Sequence, residues 1–259
     1  MSIDAGAVLA TARKTSGLSA RQAAILAGLA PSTITRIERG EIDPSLSVFE
    51  KALTACGYRL DDRLIPNIDL DAVRAARRML EADCNLSATD RSKEYERRWE
   101  AAGLLDAGSE LDMVSEIAFR AAQQASLSHR PGARRYAFRD WRLIAGSLAN
   151  AGQSWALTGG YAATFYTSIA TVNWAVFYVD DVEQAATVAD LEPLEVGRQV
   201  TLIPFDEITR SGVQVLDDGM RLASYWQIII DCFAGNGRMP AQAEAMIDLA
   251  VIRARRATA

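Results

Sequence analysis

The sequence predicts an α+β chain that is wholly helical at its start, helical in its middle and mixed at its end. Three observations carry this. From Ala5 to Gly57, apolar residues recur at helical spacing between helix-start and helix-stop residues. Further stripes of the same period run from Leu70 to Ala121. After about residue 136, β-branched and aromatic runs alternate with helical ones, the pattern of strands and helices sharing one core. The expected division is 1–66, 67–135 and 136–259.

In the first region, Ala5, Val8, Leu9 and Ala12 mark one buried helix face, and Gly17 stops that helix. Ser19 and Gln22 have the S-x-x-Q spacing of a capping box and open a second, short helix that Gly28 ends in a tight turn. Pro31 suits the first turn of a third helix, where no backbone donor is needed. Ile34 and Ile37 point inward and Gly40 ends it. Pro44-Ser45 begins a fourth helix, with Val48, Phe49, Ala52, Leu53 and Cys56 inward and Gly57 as its stop.

A short helix, a glycine turn and a second helix make a helix-turn-helix. The stretch GLSARQAAILAGLAPSTITRIERGEIDPSLSVFEKALTACGYRL resembles the Xre-like, phage-repressor type of this motif. The resemblance rests on Leu18-Ser19, Ala23-Ala24, Gly28, Ile34, the Ile37-Glu38-Arg39-Gly40 ending and the Cys56-Gly57 finish. It implies that the third helix enters the major groove of DNA, N-terminal end first. Its outward residues are Ser32, Thr33, Thr35 and Arg36. Arg36 can donate two bonds to guanine O6 and N7, which discriminates by about 1–3 kcal/mol. Arg13, Lys14, Arg21 and Arg39 are expected on phosphates, which fix position rather than sequence. The family's usual phosphate-binding glutamine position is Ala20 here, with Gln22 nearby as a candidate substitute.

In the second region, Leu70, Val73, Ala76 and Leu80 form a stripe, as do Leu111, Val114, Ile117 and Ala121. Between them, Tyr95, Trp99 and Ala102 share a face of a highly charged segment. These helices are expected to be a linker bundle that also supplies dimerisation. Residues 129–135, with Pro131, Gly132 and three arginines, read as a polar linker, and His129 as a surface histidine.

In the third region, a helix around Phe138–Leu148 precedes a strand at Ser154–Thr158. Gly159-Gly160 leads into a helix over Tyr161–Ile169, followed by a strand at Asn173–Val179. Asp181 caps a helix over Val182–Ala189. Strands follow at Gln199–Pro204 and Gly212–Val215, then helices at Ala223–Ala234 and Ala241–Arg255. The Trp155–Ala163 layout is similar to the C-terminal domain of AbiEi-type antitoxins and to minimal nucleotidyltransferases. The second likeness implies a nucleotidyltransferase-like fold, whose catalysis needs two carboxylates at i and i+2 on the next strand to hold magnesium. Asn173 and Ala175 stand at that spacing, and neither is a carboxylate. Asp181 and Glu183 have D-x-E spacing, but Asp181 also reads as a helix cap. The expectation is a domain of this kind without catalysis.

Composition bounds the function. The chain has 259 residues, 49% hydrophobic and 24% charged, enough for a sizeable core. No apolar run is long enough to span a membrane, and Met1-Ser2-Ile3-Asp4 lacks the layout of a signal peptide, so a bacterial-type cytoplasmic setting, on the nucleoid when DNA-bound, is expected. Three scattered cysteines read as small buried side chains, and a single histidine excludes a multi-histidine metal site. No catalytic set, cofactor or metal is expected. Net charge is −5, yet residues 1–66 hold eight Lys/Arg against seven Asp/Glu and are the only region that is not acidic. The expected function is a sequence-specific, double-stranded DNA-binding regulator, a repressor acting as a homodimer on an operator. One alternative is an antitoxin that neutralises a toxin through its C-terminal domain and represses its own operon. The other is a DNA-tethered nucleotidyltransferase using Asp181 and Glu183.

Overall fold

The structure, a computed structural model, describes residues 4–58, 68–81, 83–104, 110–167, 173–194 and 199–257. The chain divides into two compact units, Met1–Ile65 and Pro66–Ala259.

The first unit holds α1 (Ala5–Thr15), α2 (Ala20–Ala27), α3 (Pro31–Glu38) and α4 (Leu46–Ala55). Their ends are set locally. Asp4, Ser19 and Ser45 cap α1, α2 and α4, each accepting a backbone N–H. Ser19 and Gln22 complete both halves of the capping box. At Gly28, φ is +66° and Leu29 N–H donates to the Ala24 carbonyl at 2.9 Å, a left-handed stop that a side chain would strain. Leu9, Ala23, Ala24, Ile34, Ile37, Phe49, Ala52 and Leu53 form the core. Val8, expected inward, is exposed; the inward line of α1 is Gly6, Leu9 and Ala12. The cause is close approach by α3: a methyl on Gly6 would meet the Ile37 carbonyl oxygen at 2.5 Å.

The second unit begins with α5 (Leu70–Leu80), α6 (Asp90–Ala101), α7 (Glu110–Gln123) and a 3₁₀ turn at Leu127–His129. Then come β1 (Arg134–Ala137), α8 (Trp141–Asn150), β2 (Trp155–Thr158), α9 (Gly159–Ala163), β3 (Trp174–Val179) and α10 (Val182–Val188). β4 (Gln199–Pro204), α11 (Glu207–Arg210), β5 (Gln214–Val215), β6 (Arg221–Leu222), α12 (Tyr225–Phe233) and α13 (Met239–Ala257) complete it. The helix expected over Tyr161–Ile169 starts at Gly159 and ends at Ala163, capped by Thr164 and followed by turn residues; its expected end, Ile169, lies outside the described residues.

The six strands form one mixed sheet in the order β1-β4-β3-β2-β6-β5. β3 pairs antiparallel with β2 and parallel with β4. Every residue of β2 and β3 is buried, so both faces of the sheet centre are covered, which explains their unbroken apolar runs. The even-numbered residues Trp174, Val176 and Tyr178 share a face with Ala156 and Thr158, and α12 packs there through bonds from Thr158 and Tyr178 to Asp231.

Two expectations change here. The 67–135 region is not a separate body: α5 and α7 pack on α12, and Val73, Ala76, Tyr95, Trp99, Val114, Ile117 and Ala121 belong to the same core as the sheet. These helices bury their stripes against one another and on α12, which leaves those stripes unavailable for dimerisation. Nor is 129–135 a polar linker. Its last two residues start β1, and Arg130 is buried, donating to the Asp231 carboxylate at 3.0 Å and to the Ala125 carbonyl at 3.1 Å. A carboxylate inside an apolar helix needs a counter-charge, and Arg130 supplies it.

Candidate nucleic-acid interface

The outward face of α3 is built by helical spacing. Ile34 and Ile37 are buried, so Ser32, Arg36 and Arg39, at i, i+4 and i+7, line the opposite side, and all three are exposed. Thr33 and Thr35 flank that stripe and are half-buried. The N-cap of α3 is Ala30, which has no side-chain acceptor, and Pro31 has no N–H. The first-turn amides therefore meet no side-chain cap, beside the Ser32 hydroxyl.

Charge on this face is organised by one acid. Glu41, just past Gly40, lies with Oε2 3.7 Å from Arg36 Nε and Oε1 3.6 Å from Arg39 Nη1. Its own N–H donates to the Arg36 carbonyl at 2.9 Å, which fixes its place at the end of α3. Lys14 and Arg21 are exposed and pair with no described residue. Gln22 is exposed, but its Oε1 accepts from both the Ser19 amide and hydroxyl, leaving only its NH₂ free to donate outward.

Arg13 is placed differently from the expectation. Its Nε and Nη2 donate to the two Glu38 oxygens at 2.6 and 2.8 Å, and Nη1 donates to the Leu18 carbonyl at 2.8 Å. Both side chains are only 15% exposed. The hydrogen bond to Glu38 holds the Arg13 guanidinium above its usual range. Arg13 thus ties α1 to the end of α3 and to the α1–α2 turn, with three of its five N–H donors engaged inside the domain.

The second unit contains a buried polar cluster. Asp231 accepts from Thr158 Oγ1 at 2.6 Å, Tyr178 Oη at 2.7 Å, Gln227 Nε2 at 2.9 Å and Arg130 Nη2 at 3.0 Å. Burial pushes the Asp231 carboxyl up, against the pull of Arg130 and its hydrogen-bond donors; burial pushes Tyr178 well up too. The sequence signal for this cluster was a lone acid in the apolar run of α12. At Gly159, φ is +62° and a methyl would meet Met239 Cε at 2.8 Å, so apolar packing covers this turn. Asp181 caps α10 by accepting from Gln184 N–H at 2.9 Å, and Glu183 is 80% exposed beside Arg134. Among the described residues, no group of His, Cys, Asp and Glu could hold a metal ion, and no helix is long and apolar enough to cross a membrane.

Residues 4–64 match the family model described as a helix-turn-helix domain, the span of the first unit. No curated protein and no solved structure matches the chain. The match and the exposed basic face of α3 agree on the class: a helix-turn-helix domain, which supports a DNA-binding regulator.

Proposed function

We propose that this chain is a sequence-specific double-stranded DNA-binding transcriptional regulator of the Xre-like type, a repressor that acts as a dimer. The observation that carries this is the Ser32, Arg36, Arg39 stripe on a helix held rigidly from behind by Ile34 and Ile37. Arg36 reads a guanine edge, Ser32 and Thr33 let the helix approach closely, and Lys14, Arg21, Arg39 and the Gln22 amide take phosphates. Two copies on a two-fold axis would present two such helices to half-sites about 34 Å apart. Ile25, Leu26 and Leu46, each exposed on the first unit, offer apolar surface for that pairing.

The second unit is a partner-binding or effector-sensing module in this reading. If this unit is nucleotidyltransferase-like, Asp181 serving as a cap, an exposed Glu183 and Met239 packed over Gly159 favour a domain without chemistry. The antitoxin reading shares this arrangement and adds a toxin as the partner. The test is selection of bound duplexes from a random library, then competition titration. Arg36→Ala loses preference for the selected sequence by about 10- to 100-fold. An unchanged preference would remove Arg36 as the reader.

A further inference from the structure

An acid beside the arginines of a DNA-facing surface is out of place on electrostatic grounds alone. Glu41 is 46% exposed, stands beside the 54%-exposed Arg36 and the 69%-exposed Arg39, and brings a negative charge toward any phosphate. Capping does not explain it, because α3 has ended and its backbone bond to Arg36 needs no side chain. The two arginines have different tasks, one on base edges and one on phosphates, yet they share this single carboxylate.

We propose that Glu41 restrains the affinity of the α3 surface, holding Arg36 and Arg39 in ion pairs that every duplex must open in order to bind. This rests on the reading of α3 as the DNA-facing helix. Opening the pairs is a fixed cost on every sequence. A guanine in register repays it, because O6 and N7 together accept two bonds from Arg36. A duplex without that guanine offers Arg36 only phosphates, and there Glu41 competes for the guanidinium and repels the backbone. The cost of opening is the same in both cases, so the carboxylate weakens specific and non-specific binding alike. Its reach is short, about the screening length at physiological salt, so it acts on these two arginines and on the phosphates nearest them.

The experiment uses the full chain, wild type and Glu41→Gln, on two duplexes: the sequence selected by the wild type and a scrambled version. Affinity is measured by fluorescence anisotropy across a potassium chloride series. From the strength of exposed ion pairs, Glu41→Gln is expected to bind the scrambled duplex about 2- to 30-fold tighter. Its salt slope on that duplex steepens by about one to two units as the freed arginines reach phosphates. The selected duplex gains by a similar factor, so the ratio between the two changes little. In an Arg36→Ala background the same substitution tightens binding less, because one of the two pairs is already gone. Unchanged affinity and slope would overturn the proposal, as would tightening confined to one of the two duplexes. A wild-type chain with no salt-dependent duplex binding at all would instead remove the DNA-binding reading, and the proposal with it. Helical circular dichroism checks that the variants remain folded.

Discussion

Arg13→Ala separates a structural arginine from a DNA contact. The substitution leaves Glu38, 15% exposed, without its two donors, and leaves the Leu18 carbonyl without Arg13 Nη1. An exposed ion pair contributes about 0.2–1 kcal/mol, whereas breaking a buried one costs about 3–5 kcal/mol. This bidentate pair lies nearer the buried limit, so the first unit is expected to lose about 2–4 kcal/mol. All five tryptophans lie at or beyond residue 99, in the second unit, so fluorescence in urea follows that unit alone. Hydrogen exchange of peptides from residues 4–58 follows the first. Protection in α1 and α3 is expected to fall about 30- to 800-fold, with the tryptophan midpoint unchanged. Glu38→Ala gives a similar loss, and the double variant costs less than the two losses together. Unchanged protection, with weaker binding to all duplexes and a salt slope lower by about one unit, would refute this argument and return Arg13 to the phosphates.

In the second unit, Arg130→Ala leaves Asp231 buried without its cation and is expected to cost about 3–5 kcal/mol by urea unfolding, whereas replacing both by apolar residues of similar volume costs far less. Acid sensitivity has an identifiable source in Asp69: burial alone would raise its carboxyl, but hydrogen bonds from Arg91 and Tyr95 outweigh that and hold it below the usual range. Its contribution is therefore present above about pH 4, the unfolded value, and is lost as pH falls through the lower folded value. Asp69→Asn should flatten that part of the acid dependence of the urea midpoint, and an unchanged profile would assign it to other carboxylates. Gly159→Ala, with φ at +62° and Met239 Cε 2.8 Å from the new methyl, should lose about 1–3 kcal/mol in the same assay.

The helices of the first unit were legible because their signals are local. The capping box of Ser19 and Gln22, the left-handed turn at Gly28 and the proline at the start of α3 each act within a few residues of themselves. The outward stripe of α3 follows from its period once Ile34 and Ile37 are known to be inside. The strands β2, β3 and β4 were legible for the same reason, as apolar runs between turns. Of the two-residue strands, β5 falls within the strand expected at Gly212–Val215, and β6 carries too few residues for a pattern.

By itself, then, the sequence determined the longer elements, several of their caps and which side of α3 faces outward, but not β1, α11 or β6. The tertiary structure alone decided what each charge does. Arg13, Arg77 and Arg130 look alike in one dimension, as cations free to meet solvent or DNA. Their partners stand 25, 131 and 101 residues away, at Glu38, the Ile208 carbonyl and Asp231. The same holds for the stripes of α5 and α7. Amphipathicity states that a face must be buried but not against what, and here the chain's own α12 and sheet core cover it. A periodic pattern reports the free energy of leaving water, which is non-directional. Hydrogen bonds and ion pairs are directional and short-ranged, so their partners exist only once the chain has folded.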